Sequence, residues 1–259
     1  MSDLIRIEKD DHVAVITIDN PPANTWTRES LEALAANIED LNEDASIQAL
    51  IITGQGGKFF SAGADLKTFA DGDTAKANQM AQAFGRAFAA LTNFRGVSIA
   101  AINGYAMGGG LECALACDLR IAEEHAQMAL PEASVGLLPC AGGTQNLPWL
   151  VGEGWAKRLI LCGERIDAAK AEKIGLVEEV VATGESMSRA HELALAASKQ
   201  SPCSVSRCKQ LIMSARDNRS QADGWRMERE LFIELFSTED QKEGVQAFLE
   251  KRPAEWKGR

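Results

Sequence analysis

The chain has 259 residues, 46% of them hydrophobic and 25% charged, the proportions of an ordinary soluble protein built as one large domain or a domain with an appendage. Its formal net charge of -10 argues against a nucleic-acid partner, because phosphate contact relies on basic surface. No apolar run reaches membrane-spanning length, and MSDLIRIEKDD has neither the basic nor the apolar region of a secretory signal, so a cytoplasmic protein with no membrane partner is expected.

In chain order, residues 12–19 (HVAVITID) and 48–53 (QALIIT) read as strands, with an amphipathic helix over 28–42 between them. A Gly-rich loop follows over 54–63, then a helix over 74–93 and a short buried strand over 97–102. The turn over 104–110 leads into another helix, and residues 118–122 and 127–130 read as further short strands. Alternating strands and helices with near-continuous apolar strands predict an α/β core with helices covering the sheet. Beyond residue 142 helical periodicity dominates, over 152–162, 167–173, 184–199, 204–216, 222–235 and 239–251. Neither a low-complexity linker nor an internal sequence repeat is visible.

Six cysteines stand at 113, 117, 140, 162, 203 and 208 without a CxxC, and the histidines are His12, His125 and His191. A chain of this length needs no disulfide staples, and these spacings fit buried thiols better than a metal site.

Two glycine-rich segments and two acids carry the chemistry. GQGGKFFSAGADLK, residues 54–67, is not a phosphate loop, since Phe59 stands where Ser or Thr must follow Gly57-Lys58. It also lacks the third glycine of a dinucleotide fingerprint. It reads as a surface loop or as a loop anchored by Phe59-Phe60 with its backbone exposed. GYAMGGGLECALACD, residues 104–118, places three glycines at a helix entrance, which is locally costly. A helix start offers unpaired N–H groups and the positive end of the dipole, suited to a developing negative charge. Glu112 interrupts the apolar helix that follows, and Glu132 sits in ALPEASVGLLP. Each faces solvent or is buried with its pKa raised; two of them beside Gly-rich turns point to acid–base work.

These segments resemble the crotonase superfamily, and among its members the enoyl-CoA hydratases. The resemblance rests on SAGADLK at 61–67, INGYAMGGGLECALACD at 102–118, LPEASVGLLPCAGGTQ at 130–145 and the tail at 234–258, in family order. It implies a crotonase-like ββα spiral core over residues 1–195 and a C-terminal helical trimerisation layer over 196–259. It further implies syn hydration of a trans-2-enoyl-CoA to a 3-hydroxyacyl-CoA, with no metal and no redox cofactor.

By the same resemblance, the backbone N–H groups of Ala64 and Gly109 form an oxyanion hole for the thioester carbonyl. Glu112 handles the attacking water and Glu132 delivers the proton to carbon-2. Ala62, Asp65, Leu66, Lys67 and Lys58 fall at substrate- or CoA-binding positions. Phe248 and Lys251 match a tail segment that reaches a neighbour's CoA adenine and phosphate in a trimer or dimer of trimers. The alternatives are a Δ3,Δ2-enoyl-CoA isomerase, another crotonase-type acyl-CoA lyase such as a decarboxylase or specialised dehydratase, and an RNA-binding homologue. Two positions depart from the pattern. Cys140 replaces a glycine and either narrows the acyl pocket or simply packs. Thr25-Trp26 replaces a small aliphatic pair, with Trp26 at the pantetheine entrance or in the core.

Overall fold

The computed structural model describes residues 4–216 and 220–259. Two strands open it, β1 (Ile5–Asp10) and β2 (Val13–Ile18), paired as an antiparallel hairpin. Helix α1 (Arg28–Glu43) then begins at a Thr27–Ser30 capping box, which satisfies two orphan donors of the first turn. From β3 (Ala49–Gly54) the chain repeats one unit three times: a strand, a second short strand, a helix. The first turn is β3, β4 (Phe59–Ser61) and α2 (Thr74–Thr92). The second is β5 (Val97–Ile102), β6 (Tyr105–Met107) and α3 (Gly109–Ala116). The third is β7 (Leu119–Glu123), β8 (Gln127–Ala129) and α4 (Gly143–Leu161).

The first strands of the three units lie together in one sheet and the second strands together in another. The large sheet is ordered β1-β2-β3-β5-β7-β10, closed at one edge by β10 (Glu179–Val181); beyond the β1–β2 hairpin every pairing is parallel. The small sheet runs β4-β6-β8, parallel, with β9 (Ile166–Asp167) antiparallel at its edge. This is the ββα spiral that the resemblance implied, and it arises without any sequence repeat.

The large sheet is covered on both faces, which is why its strands read as unbroken apolar runs. One set of alternate residues, including Ile16, Leu50, Ile52 and Ile102, faces the main core under α1, α2 and α3. The other set, Val13, Ala49, Ile51, Ile99 and Ile121, packs against Ala190 and Ala194 of α6 (Ser186–Ser198), which lies beyond the short α5 (Ala168–Lys173).

Several elements were not legible in the sequence. β4 and β6 lie inside segments expected to be loop and turn. Helix α4 starts nine residues before the expected 152, because Gly152 adopts φ 76° and ψ 160° and breaks one helix into two segments. The expected helix covers only the second.

The C-terminal region is α7 (Pro202–Ser214), α8 (Gln221–Leu235) and α9 (Glu239–Glu250). The Lys209 amine of α7 donates to Phe94 O (2.7 Å), Gly96 O (3.2 Å) and the Asp118 carboxylate (2.7 Å). Asp118 is held in turn by the backbone N–H and hydroxyl of Ser98. Asp240, buried, accepts from Ser201 Oγ and from the N–H groups of Lys257 and Gly258, so it ties the tail to the base of α7. These helices leave Phe232, Ile233, Phe248 and Leu249 in solvent, more apolar surface than scattered single residues would give. No helix among the described residues is long and apolar enough to cross a membrane. Replacing Lys209 by Met should cost about 2 kcal/mol, since it strands a half-buried carboxylate and two carbonyls; urea unfolding at fixed protein concentration measures it.

Candidate active site

The C-terminal ends of β4, β6 and β8 lie side by side, and each feeds one functional group into the same cavity. Ala64 follows β4, Gly109 follows β6 and Glu132 follows β8. Adjacent strands are about 4.8 Å apart, so three groups far separated in sequence arrive within the reach of one small molecule. Glu112 joins them from α3, three residues past Gly109 and therefore on the same helix face. The cavity measures about 710 Å³, and all four residues line it.

The loop carrying Ala64 is pinned by Trp26. Trp26 N–H donates to Gly63 O (2.8 Å), and Asp65 N–H donates to Trp26 O (3.1 Å). In a parallel pairing of this kind the intervening N–H points the other way. Neither the Ala64 nor the Gly109 N–H has an acceptor among the described residues. Gly109 opens α3, where the helix dipole adds to the donor. The two loops touch: a methyl on Gly63 would stand 3.2 Å from Gly109 N.

The three successive glycines have three separate reasons. Gly108 has φ 53°, a left-handed conformation, and a Cβ there would meet Glu132 Oε1 at 3.0 Å. A Cβ at Gly109 would strike the Phe84 ring at 2.8 Å. At Gly110 it would collide with the backbone of Ser61 in β4. The space at Gly109 is thus occupied by the Phe84 and Trp26 rings, which is why the position admits no side chain.

Glu112 is buried, and its Oε1 accepts from Ala141 N–H and Gly143 N–H, both at 2.8 Å. Burial raises its pKa, and the backbone donors oppose the rise. Glu132 is half-buried, and its Oε2 has no hydrogen-bond partner among the described residues. Burial first, and the Glu112 charge in addition, push Glu132 up to about 7. One carboxyl is therefore braced and the other is free to exchange a proton near neutrality, a pair suited to dividing base and acid roles.

The remaining expected residues fall into two groups. Ala62 and Leu66 line the cavity. Asp65, Lys58 and Lys67 do not: Asp65 caps the short 3-10 helix Leu66–Phe69, Lys58 lies over the Phe59 ring and Lys67 is exposed. Phe248 and Lys251 sit on and just after α9, exposed and outside this cavity. Cys140 lines the cavity, and its thiol is pushed up to about 11 by burial and by both carboxylates. Trp26 is fully buried, so the pantetheine-entrance reading is set aside in favour of the core.

Sequence reasoning missed the apolar wall. Ala77, Ala81 and Phe84 present an i, i+4, i+7 stripe of α2, and Leu137 and Leu138 face them from the loop after Glu132. The stripe was visible as helical periodicity, but nothing local distinguished cavity lining from core. Among the described residues no group of three His, Cys, Asp or Glu is placed to hold a metal ion.

The spiral and this cleft define a crotonase-type enzyme. The family model for enoyl-CoA hydratase/isomerase matches residues 8–259, and the chain belongs to that family. In structure it is similar to Pseudomonas aeruginosa DspI, with 62% identity and a TM-score of 0.96 over 99% of this chain and 97% of that one. In sequence it is 39% identical to the short-chain-enoyl-CoA hydratase of Clostridium acetobutylicum, across 96% of this chain and 95% of the relative. It is 38% identical to the 2,3-dehydroadipyl-CoA hydratase of Escherichia coli K12, across the full length of both.

The raised pKa of Glu132 makes a stability prediction. Between pH 4.5 and about 7 the folded state holds a proton that the unfolded state has lost, so stability falls as pH rises through that window. Glu132→Gln removes this loss. The variant should match the parent below pH 4.5 and exceed it in denaturant midpoint above pH 7, as parallel urea titrations at the two ends would record.

Proposed function

We propose that the protein is a hydratase that adds water syn across the double bond of a trans-2-enoyl-CoA to give a 3-hydroxyacyl-CoA. The observation that carries this reading is the meeting of two unpartnered N–H groups and two carboxylates in one otherwise apolar cavity. Water attacks carbon-3, and the electrons of the double bond move toward the thioester oxygen. Ala64 and Gly109 donate to that oxygen, stabilising the enolate more than the ground state. Glu112, fixed by two N–H groups, orients the water and takes its proton. Glu132, protonated near neutrality, gives a proton to carbon-2. A Δ3,Δ2 isomerase needs only one base, so the presence of both carboxylates favours hydration.

The lining also bears on the acyl group. Leu66, Phe69, Leu137 and Leu138 surround the carboxylates, and no Lys or Arg lines the cavity among the described residues. A carboxylate-terminated acyl chain would be desolvated there without a partner, so apolar enoyl groups are the favoured substrates. Lys58 and Lys67, exposed near the Ala64 loop, are suited to CoA phosphates. The exposed apolar faces of α8 and α9 support assembly into a trimer or dimer of trimers, with Phe248 and Lys251 reaching a neighbour's CoA. The reading is of a cytoplasmic enzyme of fatty acyl metabolism.

Each of Glu112→Gln and Glu132→Gln should lower kcat for crotonyl-CoA hydration by about 10²–10⁴-fold while acyl-CoA binding persists. The double variant should lose little beyond the worse single one, because the two act as a unit. A 3-enoyl-CoA isomerisation assay run beside it separates the rival, which needs only Glu132; hydration by Glu112→Gln at the parental rate would sink the hydratase reading. For assembly, sedimentation should show an oligomer at micromolar concentration. Phe248→Ala should raise KM by about 2–10-fold at unchanged kcat, the worth of one aromatic stack.

A further inference from the structure

We infer that Trp26 is a positioning residue that sets the spacing between the two oxyanion donors. The inference rests on the proposed role of Ala64 and Gly109 as donors to a thioester oxygen. Those two residues come from different turns of the spiral, and a single residue touches the supports of both.

Its backbone holds the first donor's loop. Trp26 forms a parallel bridge with Ala64, through the bonds to Gly63 O and from Asp65 N–H already described. Its ring supports the second. A Cβ on Gly109 would stand 3.5 Å from indole Cδ1 and 2.8 Å from Phe84 Cε1, so the first residue of α3 rests on an aromatic floor. That floor is braced from below. Trp26 meets Phe88 edge-on at 5.8 Å between centroids, and Phe84 meets Phe88 edge-on at 5.6 Å. With 0% exposure, Trp26 touches no substrate and acts only through the residues it carries.

The indole nitrogen indicates that size, not polarity, is what this position uses. Nε1 is buried and donates to no described group. An orphaned buried donor lowers stability, and Phe would fill much of the same volume without it. The bicyclic ring is the largest side chain available, and here it reaches from a backbone bridged to Ala64 to the underside of Gly109. A smaller ring would let the Gly108–Gly110 turn settle toward the core and carry its N–H away from the oxygen. Oxyanion donors tolerate little such movement, because their geometry is matched to the charge that develops.

Trp26→Phe in the whole 259-residue chain separates positioning from packing. Four quantities are measured: the unfolding midpoint, KM and kcat for crotonyl-CoA, and the absorbance of bound acetoacetyl-CoA. The enolate of that β-keto thioester shares its charge between the keto and thioester oxygens and so reports on the donors without turnover. The expected result is an unchanged or raised midpoint, kcat lower by about 10-fold or more with KM little altered, and a weakened enolate band. A parental kcat and enolate band in Trp26→Phe would overturn the inference, as would a loss of stability with the band intact. If Trp26→Phe does not fold, Phe88→Leu, which removes the brace and leaves the backbone bridge, is held to the same outcomes. Failure of the parent to form the enolate would sink the donor reading beneath, which distinguishes that failure from one of Trp26 alone.

Discussion

The site depends on the parallel pairing of three very short strands. β4, β6 and β8 have three residues each, too few to be stable alone. They persist because each is tethered to a longer strand of the large sheet and because α3 lies against β4 closely enough that Gly110 admits no side chain above Ser61. This pairing converts a spacing of dozens of residues into a spacing of single strands. Ala64, Gly109 and Glu132 are brought together by register, and each emerges at a carboxyl end, where open parallel sheets present their ligand crevices.

From that edge the electrostatics follow. Two N–H groups left over by the local pairing face an apolar cleft, where a fixed dipole is worth more than it is in water. The same desolvation raises both carboxyls, but their supports differ. Glu112 has two backbone donors from the start of the α4 segment, while Glu132 has an unpartnered oxygen. Unequal hydrogen bonding is what separates the two carboxyls: backbone donors oppose the rise at Glu112, while the Glu112 charge adds to it at Glu132. The braced residue is also the one whose neighbours admit no bulk: a Cβ at Gly143 would meet Glu112 Oε1 at 2.9 Å.

The same core that builds the site supports it from beneath. Trp26, Phe84 and Phe88 form a continuous aromatic layer under the donor turn, joined to the α1–α2 side of the main core. The cavity wall and the hydrophobic core share Phe84, so core packing and cavity shape are mechanically joined at that residue. On the far side, Lys209 and Asp240 fasten the C-terminal helices to the core through buried polar bonds, which fixes the helices while leaving their apolar outer faces available.

The sequence by itself determined the strand–helix alternation, the apolar strands of a covered sheet, and the four segments whose residues carry the resemblance. Period and composition are local properties, and they survive in a string. It also drew attention to Glu112 and Glu132, as lone acids in apolar surroundings beside glycine-rich turns, whereas Ala64 and Gly109 were singled out only through the resemblance. The three-residue strands β4 and β6 were not legible, since a strand of that length has no period to detect and exists only through its neighbours. Nor was the break at Gly152, which is a backbone angle and not a residue pattern. Trp26 shows the same limit: its composition fitted entrance and core equally, and only its position beneath Gly109 decided. Tertiary structure chose which apolar residues wall a cavity and which fill the core, because that choice depends on what stands opposite each side chain.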